Sequence, residues 1–220
     1  MVRPPSRRFD ANYREEIVLA DGTPVVLRTL QPRDKVLLAR GFGRMSEESR
    51  FLRFLTAKQE LTESDLAYMT ELDGDRHFAI AAGIEDPIGR EEGIGIARFV
   101  RLADRTEVAE PAVAVLDEFH GRGVGRLLCL RLAEAALERG VTTFRCDVLA
   151  SNEPMRGLLE SLVPDVSVQV DGDTATIEFA LAPPGVAEPM SERVSVLERL
   201  LALAARGALV LRHRVFRSAD

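Results

Sequence analysis

Residues 113–126 read VAVLDEFHGRGVGR, and this stretch decides how the chain is built. Val113 to Leu116 close an apolar run with the character of a buried strand, and Asp117 and Glu118 make a short acidic turn. Three glycines within five residues, Gly121, Gly123 and Gly125, then lead into a long amphipathic helix. Glycine lets a backbone come close to a bulky anion, and a helix start offers unpaired N–H groups with a partial positive charge. Arg122 and Arg126 add formal charge beside them. The segment reads as a pyrophosphate cradle, with a tight turn that packs a helix closely on a strand as the alternative. It is not a dinucleotide fingerprint, which needs glycine where Arg126 stands, nor a Walker A loop, which needs a Lys-Ser/Thr pair.

Downstream, the helix is expected over 123–139 through Leu127, Leu128, Leu132, Ala136 and Leu137, with Gly140 as its stop. A strand over 142–149, a helix over 152–162 and a hairpin of 166–170 with 174–181 follow, the last around Asp171-Gly172-Asp173. Upstream, 108–116 is the most apolar strand, preceded by strands over 78–82 and 93–100. Asp21-Gly22 predicts a hairpin between 17–20 and 24–30, Pro32 opens a helix through 36–42, and 46–55 is a second helical candidate. Thr62-Glu63-Ser64-Asp65 resembles a capping box ahead of Leu66, Met69 and Leu72. Helices come first, then a strand meander, then strand–helix–strand–helix and a hairpin. That order is an α+β (mixed α/β) plan around one sheet, not a doubly wound fold.

The expected organisation is a flexible N-terminus over 1–15, one domain over 16–182, a linker over 183–191 and a helical, basic appendage over 192–220. The 46% apolar and 29% charged content suits a folded globular chain rather than a disordered one. A formal charge of −6 argues against a phosphate-backbone binder, so nucleic acid is not an expected partner. No apolar run reaches membrane-span length, so no membrane partner and a cytoplasmic location are expected. Cys129 and Cys146 fall on apolar element faces and read as buried small hydrophobes. Three widely spaced histidines give no metal-ligand pattern, so no metal is expected.

The loop His120-Gly121-Arg122-Gly123-Val124-Gly125 resembles the acyl-CoA signature of the GNAT superfamily of N-acetyltransferases, Gln/Arg-x-x-Gly-x-Gly/Ala at a helix start. LRTLQPRDKVLLARGFGRMSEESRFLRF, LDGDRHFAIAA, AEPAVAV and LASNEPM are similar to the GNAT domain of bacterial protein lysine acetyltransferases, over about residues 24–181. The resemblance implies a mixed, mostly antiparallel sheet with helices on both faces and splayed strands forming an acyl-CoA cleft. It implies acetyl-CoA as co-substrate and an amine acceptor, either a protein lysine or a small molecule. It places the pyrophosphate on Gly121, Arg122, Gly123, Val124, Gly125 and Arg126, with His120 at the head of the cradle. The pantetheine falls along Val113, Ala114 and Val115, and Asn152 near the thiol. The general base falls on Glu110.

Elementary chemistry supports a base independently. An amine of pKa ~10.4 is neutral in only ~1 in 2,500 molecules at pH 7, so some group must take its proton. Alternation sets Glu110 on one strand face with Ala112 and Ala114, where a substrate has room; a strand-end glutamate in solvent is the alternative. Asp73 and His77 flank a turn near the same strands and are expected mainly to cap it. Arg50 and Arg53 read as a solvated helix face. The chain departs from the family at His120, which replaces Gln or Arg, and at Leu158-Leu159, where many members carry a tyrosine acid. Val163-Pro164-Asp165 stands where Gly-Phe is usual, in a region that shapes the acceptor pocket. These departures leave a catalytically weak acyl-CoA-binding regulatory module as a second reading. Association as a homodimer is compatible with either.

Overall fold

The Asp21-Gly22 turn folds β1 (Arg14–Val18) back on β2 (Pro24–Thr29), with Gly22 at φ +86°, a conformation that carries little cost only for glycine. The computed structural model describes residues 7–47, 59–86, 88–149, 166–172, 174–181 and 211–212. A 3-10 turn at Pro32–Asp34 opens α1 (Lys35–Arg44). Thr62 and Asp65 form the expected reciprocal capping box at the start of α2 (Glu63–Thr70), which buries Leu66 and Met69. The meander follows as β3 (His77–Glu85), β4 (Glu91–Arg101) and β5 (Val108–Val115). α3 (Val124–Leu137) ends at Gly140, and β6 (Thr143–Leu149), β7 (Val166–Asp171), β8 (Thr174–Ala180) and the short β9 (Leu211–Arg212) complete the described elements.

The strands form one sheet in the order β1-β2-β3-β4-β5-β6-β8-β7, with β9 also against β6. Every pairing is antiparallel except β5–β6, which is parallel and joined only at Val108↔Thr143 and Ala109↔Phe144. Both strands run on without pairing each other, so the sheet splays there as the resemblance implies. α3 covers one face: a Cβ on Gly95 would stand 3.0 Å from Leu128. The opposite face carries α1 and α2, with Arg98 lying 4.8 Å beneath the Tyr68 ring.

The main core lies on the α3 face, where Phe78, Phe99, Phe144 and Phe179 form a chain of ring contacts 5.8 to 6.5 Å apart across four strands. Leu128 and Leu132 are fully buried against it. Cys129 and Cys146 are buried free thiols, as expected. Burial, and then the charges of Glu110 and Asp147, hold the Cys146 thiol far above its ordinary pKa, so it stays protonated.

The N-terminus departs from expectation. Phe9 is 1% exposed and Tyr13 is buried, so residues from 7 onward pack on the domain. Arg139 is the reason. Its guanidinium donates to the carbonyls of Phe9, Gly74 and Ala135 and stacks 3.9 Å over Phe78. The helical candidates over 46–55 and 152–162 lie largely or wholly outside the described residues, as do the linker and all of the appendage except β9.

Arg28 donates to Asp34 at 2.7 and 2.8 Å and to Glu91 at 2.9 Å, joining β2, the turn before α1 and β4. Arg28 and Asp34 are both buried, and the Asp34 carboxylate above all holds the guanidinium above its ordinary range. Removing Asp34 leaves the buried guanidinium with Glu91 as its carboxylate partner and two of its N–H donors unmatched. Asp34→Ala is expected to destabilise the fold by about 3–5 kcal/mol, read from urea unfolding midpoints at constant m-value.

Candidate active site

Pro111 decides where the sheet opens. Leu116 N–H donates to the Ile94 carbonyl and Leu102 N–H to the Val108 carbonyl, so the even-numbered residues of β5 bond toward β4. The odd-numbered ones face β6, as Glu107 does in accepting from Thr142 and Thr143. After Ala109, the next donor on that edge would be residue 111, and proline has none. The ladder stops there. Pro111 keeps its C=O on that edge, and the first N–H beyond it belongs to Val113, followed by that of Val115. Ala114, expected among the pantetheine contacts, turns its backbone toward β4, so only its side chain borders this region.

The glycine loop stands at the open end. Gly121 and Gly123 take φ of +73° and +89°, which side chains strain against. Gly123 is the N-cap of α3 and supplies no side-chain cap, and the first turn of the helix holds no acidic residue. The first N–H groups of any helix have no carbonyl of that helix one turn behind them. An uncapped helix start of this kind presents donors and partial positive charge to an anion. The arginines divide the work. Arg122 turns away, its Nε 2.6 Å from Asp21 and its guanidinium over Phe119, so it anchors the loop to the β1–β2 turn. Arg126 is exposed. His120 does not point outward to head the cradle; its Nε2 donates to the Val115 carbonyl at 2.9 Å and ties the loop to the end of β5.

Glu110 is 6% exposed with both carboxylate oxygens buried, which excludes the solvent-facing alternative. The cross-strand register Val100↔Glu110, Arg98↔Ala112 and Ile96↔Ala114 puts it on the α1/α2 face with the two alanines. Arg98 and His77 stand on that face, and the Tyr68 ring lies 5.1 Å from His77. Asp73 accepts from the N–H groups of Asp75, Arg76 and His77 and so caps the turn as expected. His77 goes further: burial first, then the Arg98 charge, depress its pKa to about 3. Sequence reading missed Arg98 and Tyr68. A lone arginine inside the apolar run Ile94 to Val100 was the available signal. Asn152, Arg50 and Arg53 lie outside the described residues.

The gap is partly filled by the chain itself. β8 bonds the far edge of β6 over Thr143 to Leu149, so β9, which pairs Asp147↔Arg212 and Val148↔Leu211, lies on the edge facing β5. The parallel register makes Asp147 and Val148 level with Ala112 and Val113. Strands sit ~4.8 Å apart, so another extended chain between β9 and β5 needs ~14 Å within four residues of the last pair, a divergence of roughly 40°.

The family model of the acetyltransferase (GNAT) family matches residues 45–162. Acetyltransferase Pat of Mycolicibacterium smegmatis is 33% identical over 138 residues, 62% of this chain; the chain spans 40% of that relative's length. Acetyltransferase PA5475 of Pseudomonas aeruginosa is 27% identical over 158 residues, 69% of this chain and 84% of the relative. The crystal structure of the GNAT domain of S. lividans PAT superposes with a TM-score of 0.65 at 26% identity, over 79% of this chain and 99% of that one.

Two measurements check this geometry. Below pH ~6.5 the unfolded chain protonates an imidazole that folded His77 keeps neutral down to about 3, so stability falls as pH drops through that window. His77→Gln is expected to flatten the loss in urea midpoint between about pH 7 and 5, above the carboxylate range. Deleting residues 182–220 removes β9, and acetyl-CoA is expected to bind roughly fivefold more tightly by calorimetry because the competent state is no longer in competition. Equal affinity in the two forms would show that β9 and the ligand do not share the gap.

Proposed function

This chain belongs to the acetyltransferase (GNAT) family, and we propose that it transfers an acyl group, acetyl in the simplest case, from acyl-CoA to a primary amine, with Glu110 as general base. The observation that carries this is a buried carboxylate, Glu110, on β5 next to the point where its pairing with β6 stops. The diphosphate would rest on the amides from Gly121 to Arg126, and the pantetheine would bond Val113 and Val115 after β9 withdraws. The Val113 N–H is the donor placed to polarise the thioester carbonyl. Glu110 takes the amine proton, directly or through water, the amine attacks the carbonyl carbon, and CoA leaves as the thiol. A free thiol has pKa ~8.5, so water can return the proton without a dedicated acid. Arg98, set across from Ala112, is a buried guanidinium on the same face as the base. The acceptor we favour is a protein lysine, because the sequence resembles the GNAT domain of bacterial protein lysine acetyltransferases; a small amine is the alternative.

One observation favours the second reading, a regulatory acyl-CoA-binding module: β9 already sits in the gap. A single variant separates the two. Glu110→Gln keeps size and removes the base, so turnover with an amine or protein panel is expected to fall by roughly 10²–10⁴ while acetyl-CoA affinity stays within about twofold. Binding without turnover in the unaltered chain would support the regulatory module instead.

A further inference from the structure

A pocket of about 80 Å³ lies between α1 and strands β3 to β5, on the same sheet face as Glu110. Its floor is made by small residues, Ala81, Gly93 and Ala114, and by Ile96; Leu37 and Met45 of the α1 region close it from above. Gly41 and Gly93 bring helix and strand together, since a Cβ on Gly41 would stand 3.9 Å from the Gly93 carbonyl oxygen. The charged groups at one end, Arg28, Asp34 and Glu91, are hydrogen-bonded to each other. The occupant therefore needs to be apolar and to ask for no hydrogen bond.

Resting on the acyltransferase reading above, we propose that this is the acyl-chain pocket, and that the chain prefers donors about three carbons longer than the carbonyl over acetyl-CoA. Continuity with the cleft is the argument. Ala114 lines the pocket and follows Ala112 on the Glu110 face by two residues, ~7 Å along the strand. A thioester carbonyl held at the Val113 N–H can send a short chain over that distance. The capacity is about half the ~150 Å³ that accommodates a benzene ring, which suits propionyl and butyryl chains and not octanoyl. A folded polypeptide does not fit, and the polar part of a small amine would find only the Glu91 carboxylate at one end to bond.

The test is a calorimetric ladder of acetyl-, propionyl-, butyryl- and octanoyl-CoA on the full chain, with rates on a fixed amine panel beside it. Affinity is expected to rise about fourfold per methylene to butyryl, then drop at octanoyl. Ala81→Leu fills the pocket from β3, at a partly exposed position outside the proposed cleft. It is expected to erase the gain and leave acetyl-CoA binding unchanged. Leu37→Ala should move the optimum to a longer chain. A ladder that is flat or falling in the unaltered protein, or one that both variants leave unchanged, overturns the proposal. If no acyl-CoA binds, acetyl-CoA included, the acyltransferase reading itself has failed and this inference falls with it.

Discussion

The absent N–H of Pro111 is the constraint from which the cleft follows. A parallel pair of strands normally continues until one of them ends, because each further rung satisfies two backbone groups at no added cost in register. Here the rung after Ala109 has no donor, and β5 and β6 part with several residues still to run. What remains on β5 is a short edge that pairs no strand among the described residues and faces an opening inside the sheet. Such an edge invites another extended backbone. In this chain β9 meets β6 across the same opening, and an extended ligand arm has the same geometry to offer.

The rest of the site is held by groups that do not themselves face the opening. Arg122 bonds Asp21, and His120 bonds Val115, so the glycine loop is tied to the β1–β2 turn and to the end of β5. The ordinary energetic penalty of ordering a loop is thereby met in the folded chain before any anion arrives. Arg28, Asp34 and Glu91 fix the start of α1 over the sheet and thereby set the pocket's depth. On the same face, burial keeps His77 neutral beside Tyr68 and Arg98, and burial lowers the Arg98 guanidinium from its ordinary range.

Local features were legible at once. The turn at Asp21-Gly22, the capping box at Thr62, the glycine stop after α3 and the alternation along β5 are set by residues within a few positions of each other. Backbone sterics and 3.6- or 2-residue periods act at that range, so those elements fell where expected. The glycine loop and the burial face of Glu110 belong to the same class, and the family resemblance supplied their chemical meaning.

Features that depend on distant residues meeting were not legible. The guanidinium of Arg122 reads in the sequence as charge beside the cradle, and in the fold Asp21, 101 residues away in sequence, holds that side chain. Phe9 reads as part of a loose terminus because its partner Arg139 stands 130 residues away in sequence. The edge on which Pro111 lacks its donor, the presence of β9 in the opening and the pocket under α1 arise only when strands choose their neighbours. One-dimensional sequence specifies which groups each strand exposes on either side. Which of those groups is paired, and which is left facing a gap, is settled by long-range packing that buries one register and excludes the rest.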